Sequence, residues 1–452
     1  MLKKKSNAVD VVPEYLESVS IKKLIDTAYK DYSLYVIRQR AIPCYIDGFK
    51  TVQRKLIRAG LDHAKNKKIK VAELGSMLSS YEYLHGETSA QDALTLMAAD
   101  WCNNLPLFEA HGNFGTRLIQ EAASPRYIYV RLSDTFNKLF CDNEVVEYRN
   151  EQPEPITYLP LIPMSLINGI SGMAVGFACN ILPHSPNTVV NACIDVLRHG
   201  KVKSNTEVLY PNYRGEISLV ESSKYVFKGV VEKTSDKRKI LYTVTELPPN
   251  YDRLKYYNIL IDLRDKGIIN DFDDECNSEG FKFLIYTSDE QSKKIDKDVY
   301  KTFKLISYET QNLTMIDENG QLIIFENTSQ LIERFVKYRL QKTREYIDYE
   351  IKKQKSVLHE LTVKREYIRD VLSKKLTLNE YSKNGLATHV ISAYNTSNEV
   401  ADRVISIPSY SFTSDNIDSL DSKILEITKT IEELENTNEK DLYMSRLRKL
   451  KL

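Results

Sequence analysis

Two apolar stripes late in the chain constrain its fold more than any other feature. Ile347, Ile351, Leu358, Leu361, Ile368 and Leu372 are separated by four, seven, three, seven and four residues, and Leu420, Ile424, Ile427, Ile431 and Leu434 by four, three, four and three. Such spacings keep side chains on one helix face, and sustained over many turns they form a seam for a second helix. Asn384-Gly385 and Pro408 punctuate a compact piece between the stripes. The pattern predicts a long antiparallel coiled-coil arm with a small helical head, built for packing and self-association rather than chemistry.

Ahead of the arm, 452 residues are too many for one ordinary core. The stretch 31–155 predicts short helices followed by a small sheet. One helix spans Val52–Lys65, with Val52, Leu56, Ala59, Gly60 and His63 on one face. Another starts at a Thr88/Ser89 cap and runs through Ala93, Leu94 and Met97. This order suits a winged-helix DNA-binding module. From 156 to 330 the pattern becomes α/β. Strands are expected at Tyr225–Val231, Ile240–Val244, Phe281–Tyr286, Leu313–Ile316 and Leu322–Phe325, with a helix at Tyr256–Lys266. Asn319-Gly320 marks a hairpin turn between the last two strands. The fold class is multidomain α+β in four segments: an N-terminal segment and helix (1–30, the helix near Ile21–Tyr29), a winged-helix domain (31–155), an α/β domain (156–330) and the arm with its head (331–452).

Charge is informative only locally. The 63 basic and 62 acidic residues nearly cancel, yet Arg38 to Ser80 carries ten Lys/Arg against three acids, a plausible phosphate-binding footprint. The six cysteines are scattered without zinc or disulfide spacing, which implies a reducing compartment. No signal peptide or membrane span is legible, so a soluble, cytoplasmic protein is expected.

The chemistry concentrates in Ala123-Ser-Pro125-Arg126-Tyr127-Ile-Tyr129-Val-Arg131-Leu132. A tyrosine hydroxyl can serve as a covalent nucleophile, although its free pKa of about 10 leaves it mostly protonated at neutral pH. An adjacent guanidinium can stabilise both a phenolate and an anionic phosphoryl group. An edge strand with two aromatics is the plainer interpretation of the same residues, with Tyr129 on the same strand face as Tyr127, one pleat along.

Four further blocks accompany Arg126-Tyr127: Arg40 to Lys55 (RAIPCYIDGFKTVQRK), His85-Gly86-Glu87, Gly112 to Arg117 (GNFGTR), and Asn168 to Ala178 continuing to Asn180-Ile-Leu-Pro-His184. In this order they resemble the breakage-reunion (gyrase A-like) subunit of type IIA DNA topoisomerases, and the short length is similar to the T-even-type phage branch. The resemblance implies a DNA-cleaving and religating subunit of an ATP-dependent enzyme. It would make a transient double-strand break through 5′-phosphotyrosine links and pass a second duplex through it, relaxing and decatenating DNA. It also implies the names cleavage domain, tower and C-gate dimerisation head for the three folded segments, and partner contact for the first.

Residue roles follow from the resemblance alone. Tyr127 matches the nucleophile and Arg126 the arginine that clamps the phosphate. His85 matches the second histidine of the bacterial His-x-His-Gly pattern, whose first position is Tyr83 here. Arg40, Lys50, Arg54 and Lys55 match residues that hold the DNA backbone, while Gln53 stands where the bacterial pattern has histidine. Met173 occupies the place of an isoleucine that wedges between base pairs, an action that kinks the duplex. Thr88 and Asp92 match drug-pocket positions.

No Walker-type loop or ATPase block is visible. Asp271-Phe-Asp273 imitates a metal-binding Asp-x-Asp but is expected in a solvated acidic loop, so no metal ligand is assigned in this chain. Mg2+ and ATP would then come through a partner carrying the TOPRIM and ATPase domains. Partners would be double-stranded DNA, a second copy of this chain and the ATPase/TOPRIM protein. The stop at Leu452 also leaves no room for a DNA-wrapping domain, so negative supercoiling is not expected. The rival is a noncatalytic winged-helix architectural dimer, left open by Gln53 and Tyr83. A tyrosine recombinase fits less well, because its Arg…His-x-x-Arg…Tyr order is missing.

Overall fold

The computed structural model describes residues 20–149, 152–236 and 239–450; the polar lead expected over 1–19 lies outside them. The chain forms two compact units. The first takes in residues up to 133, 164–185 and 207–328, the second 134–163, 186–206 and 329 onward.

The first unit begins with a helical run longer than the segment expected near 21–29. α-Helical turns at Ile21–Leu24 and Lys30–Tyr35 alternate with π-helical turns at Ile25–Tyr29 and Val36–Ala41. Helices Thr51–His63, Val71–Met77 and Glu87–Ala98 follow. Leu56, Ile57, Ala59, Leu74, Leu78, Ala90 and Leu94 are fully buried among them. The amphipathic face read from the first of these helices is inward at Leu56, Ala59 and Gly60. Helix Val71–Met77 was not foreseen, since two turns carry little periodic signal. The third helix is capped two residues before Thr88, at Gly86, and Ser89 sits inside the first turn. Strands β1 (Ile69–Lys70), β2 (Phe108–His111) and β3 (Tyr129–Leu132) form a small antiparallel sheet in the order β1-β3-β2. Later in the chain β4 (Ile170–Met173) and β5 (Ala178–Ile181) pair as a hairpin.

The remaining strands of this unit divide into two sheets and a hairpin. β6 (Glu216–Glu221), β7 (Lys224–Lys228) and β12 (Ile306–Thr310) make the first. β8 (Val230–Asp236), β9 (Lys239–Glu246), β10 (Asp271–Asp274) and β11 (Phe283–Thr287) make the second. The single strand expected at 225–231 breaks at Gly229, where a Cβ would lie 2.3 Å from the Glu246 carbonyl oxygen, so that β7 and β8 enter different sheets. Helix Arg253–Asp265 packs Tyr256 and Leu260 against Phe283, Ile285 and Phe303. β13 (Leu313–Ile316) and β14 (Leu322–Phe325) pair as the Asn-Gly signal required, with Gly320 at φ +74°. Asp271 and Asp273 stand on edge strand β10, not in a loop. There Tyr286 donates to Asp273 at 2.8 Å and Arg253 to Asp274 at 2.7 Å.

The second unit contains the 45-residue helix Thr328–Leu372 and the helix Ser414–Glu435. Ion pairs Lys355–Glu435 (2.7 Å) and Arg365–Asp421 (2.8 Å) join the two, and their order makes the helices antiparallel. Along the stripes Ile347, Ile368, Leu420 and Ile431 are buried, whereas Leu372 is exposed. Helices Lys383–Tyr394 and Asn398–Ile405 close around Val363, Tyr367, Leu376, Val390 and Val404. Asn384-Gly385 does not interrupt this piece. It forms a helical first turn, because Ser382 caps the helix by accepting from the Gly385 N–H at 3.2 Å. At the base, buried Asp142 accepts from both Arg339 and Arg446. No helix among the described residues is long and apolar enough to cross a membrane.

Candidate active site

The loop bearing Tyr127 is set by its attachment to a helix end. The Val71 and Ala72 N–H groups, otherwise without helical partners, donate to the carbonyls of Ile128 (3.0 Å) and Pro125 (3.1 Å). A turn closed by Tyr127 N–H to Ser124 C=O (2.9 Å) lies between them. Tyr127 therefore sits in a turn before β3, not on the strand as expected, and the shared-face argument about Tyr129 does not hold. Tyr129 is the first β3 residue, opposite Lys70 and His111. Tyr127 is 71% exposed against 38% for Tyr129, and Arg126 is exposed beside it. The loop presents a phenol and a guanidinium outward on a tethered backbone.

The same short helix leads to His85. The Ser76 hydroxyl donates to Glu87 at 2.9 Å, and a Cβ on Gly75 would fall 2.5 Å from Gln91 Cγ, so helices Val71–Met77 and Glu87–Ala98 touch closely. His85, exposed, precedes the second helix. Its Nε2 lies 3.2 Å from the Tyr35 hydroxyl, and its ring meets Tyr83 edge-on at 5.2 Å. Thr88 and Asp92 are both exposed on that helix.

The basic block separates into two groups. Arg38, Arg40, Lys65, Lys67, Lys68 and Lys70 are exposed. Arg54 is turned inward: its Nε donates to buried Asp47 at 2.6 Å and its Nη2 to the Phe49 carbonyl at 2.9 Å. Lys55 is 5% exposed and donates to the Tyr81 carbonyl at 2.6 Å. Both cations are therefore engaged within the fold. Gln53, at the histidine position, accepts from the Lys50 N–H at 2.9 Å and so caps its helix.

Lys50 lies half-buried under the β4–β5 hairpin. Its ammonium donates to the Ser171 carbonyl at 2.7 Å, which leaves two N–H donors for another group, and burial pulls its pKa down against the opposing influence of Cys179. Beyond it, Met173 ends β4 at 88% exposure, with Val175 and Phe177 exposed on the same tip. A Cβ on Gly172 would sit 2.0 Å from the Ala41 carbonyl oxygen and 3.4 Å from Lys50 Nζ. Gly172→Ala should push the hairpin off its seat, costing about 1–3 kcal/mol in an unfolding titration and lowering DNA cleavage in proportion. A wild-type midpoint would show that the contact is not tight.

Two residues were undervalued in the sequence. Arg117 ends the GNFGTR block and anchors it: its Nη2 donates to Glu246 and to the Leu247 carbonyl, both at 2.9 Å, between the rings of Tyr213 and Phe281. Its place in that block was the only signal. His184, fully buried, donates from Nδ1 to the Leu182 carbonyl at 2.7 Å, and burial pulls its pKa down to about 4. Folded His184 thus binds fewer protons than unfolded histidine between about pH 6.5 and 4, so stability is lost as pH falls through that window, by roughly 3 kcal/mol. His184→Gln should flatten this part of the stability–pH curve in urea titrations; an unchanged slope would contradict it.

Both architecture and sequence have known counterparts. The fold matches the DNA-binding, cleavage and re-ligation domain of Plasmodium falciparum topoisomerase II with a TM-score of 0.85, covering 95% of this chain and 64% of that one at 23% identity. The family model for the A subunit of DNA gyrase/topoisomerase IV matches residues 40–451. The DNA topoisomerase medium subunit of Enterobacteria phage T4 is 35% identical over 416 residues, 90% of this chain and 92% of its own. DNA topoisomerase 2 of Invertebrate iridescent virus 6 is 30% identical over 425 residues, and the chain spans about a third of that longer protein (36%). The chain belongs to the family of DNA gyrase/topoisomerase IV A subunits, the DNA-cleaving components of type II topoisomerases.

Proposed function

We propose that Tyr127 is the nucleophile with which this subunit breaks DNA, one strand per copy, in a homodimer that works within a hetero-oligomer. The observation that carries this reading is the tethered turn that holds an exposed Tyr127 next to an exposed Arg126. The phenol oxygen attacks a DNA phosphorus, a P–O bond to tyrosine forms, and the bond to the 3′-oxygen breaks. The phenol loses a proton and the 3′-hydroxyl gains one. One phosphodiester replaces another, so the reverse step needs little energy, and catalysis is chiefly positioning and charge stabilisation. Arg126 stabilises the phosphoryl oxygens and His85 hydrogen-bonds a phosphate or the leaving oxygen. Arg40 and Lys50 hold the backbone, and Met173 is the wedge that kinks the duplex. Thr88 and Asp92 remain drug-pocket candidates.

The four-segment division is retained as part of this reading: a partner-contacting N-terminal helix, a winged-helix cleavage domain, a tower, and a coiled-coil arm with a C-gate head. Three packed helices with a small antiparallel sheet support the second, and the paired long helices with their two-helix tip support the last.

Type II topoisomerases of this family use Mg2+ and ATP. The carboxylates of β10 do not fit a divalent cation, since Asp273 already accepts from Tyr286 and Asp274 pairs with Arg253. No step is assigned to a metal on this chain, and we place both cofactors on the ATPase/TOPRIM partner. Mixing this subunit with that partner, Mg2+ and ATP should relax supercoiled plasmid. Plasmid left supercoiled by an assembled complex would instead favour the architectural reading.

A further inference from the structure

We propose that Tyr35 is a positioning residue for His85: its hydroxyl donates to Nε2, holds the neutral imidazole as the Nδ1–H tautomer, and so presents Nδ1–H as the donor to the DNA phosphate. The inference rests on the role given to His85 above. A connected set of contacts carries it. The Tyr35 hydroxyl lies 3.2 Å from His85 Nε2. A phenol is a better donor than acceptor, while a neutral imidazole offers one acceptor nitrogen and one N–H. The Tyr83 ring closes on the imidazole edge-on, centroids 5.2 Å apart at 71°. Tyr83 is itself fixed: Ser89 donates to the Gly86 carbonyl at 2.8 Å, so the Tyr83 hydroxyl donates to Ser89 at 3.0 Å. Tyr35 in turn stacks on Tyr32, centroids 6.3 Å apart. An exposed histidine is thereby held from two sides, by Tyr35 of the helical run ending at Ala41 and by Tyr83, which is tied to the first turn of helix Glu87–Ala98.

The test compares Tyr35→Phe, His85→Gln and the double variant in the full chain. Imidazole 15N–1H spectra of histidine-labelled protein, with the His85 signal assigned through His85→Gln, should show Nδ1–H in the wild type and a mixture of tautomers in Tyr35→Phe. In complex with the ATPase partner, Tyr35→Phe should cleave DNA about fivefold more slowly, the factor one net hydrogen bond is worth, with DNA affinity unchanged. The double variant should be no slower than His85→Gln alone. An Nε2–H tautomer in the wild type, an unaltered spectrum in Tyr35→Phe, or additive losses in the double variant would each overturn the proposal. If His85→Gln cleaves normally while the tautomer responds to Tyr35→Phe, the catalytic role of His85 fails and the positioning contact stands.

Discussion

Tyr127→Phe is expected to bind DNA with wild-type affinity and to form no covalent adduct, its cleavage falling by about 10⁴-fold or more. Removing one oxygen from an exposed side chain that makes no side-chain hydrogen bond among the described residues leaves the fold untouched, so the loss is chemical rather than structural. Tyr129→Phe is the matched control. Tyr129 lies two residues on, begins β3 opposite Lys70 and His111, and should retain cleavage. A denaturant-quenched cleavage assay separates the two. Adduct formation by Tyr127→Phe, or its loss in Tyr129→Phe, would move the nucleophile.

The largest structural effect is expected at Asp142. Its carboxylate is fully buried and accepts from Arg339 Nη2 and from Arg446 Nη1, the latter at 2.7 Å. Arg339 also donates to the Pro160 carbonyl at 3.1 Å and to Thr343 at 3.0 Å, and Tyr443 donates to the Leu161 carbonyl at 2.7 Å. Asp142→Ala leaves two guanidinium groups without their counter-charge, one of them almost wholly buried. Breaking a buried pair from one side costs about 3–5 kcal/mol. Circular dichroism should show the helical signal melting roughly 10 °C earlier, since each kcal/mol moves a unit of this size by a few degrees. A midpoint within a degree of wild type would mean that the network contributes nothing net.

The parts of this fold written in local pattern were legible. The stripe on Thr51–His63, the Asn319-Gly320 hairpin and the two long helices each rest on contacts or backbone preferences a few residues apart. What depended on distant partners was not legible. Tyr127 was expected on a strand because apolar alternation continues into β3; carbonyls of its own loop reaching the N–H groups of Val71 and Ala72 make a turn instead. Arg54 and Lys55 carried the right charge for DNA, yet Asp47 and the Tyr81 carbonyl draw them inward. Charge gives the sign of a surface only after burial is known. The Tyr35–His85 contact, fifty residues apart, had no local signature at all.

The most direct measurement is the chemistry of the wild-type adduct. Cleavage complexes trapped with denaturant, digested by trypsin and nuclease, should yield the peptide Tyr127-Ile-Tyr-Val-Arg131 carrying a nucleotide. Fragmentation should place that nucleotide on Tyr127, joined through its 5′-phosphate, with a free hydroxyl on the 3′ end of the cut strand. A nucleotide on Tyr129 or on any other residue, or a link through a 3′-phosphate, would contradict the account.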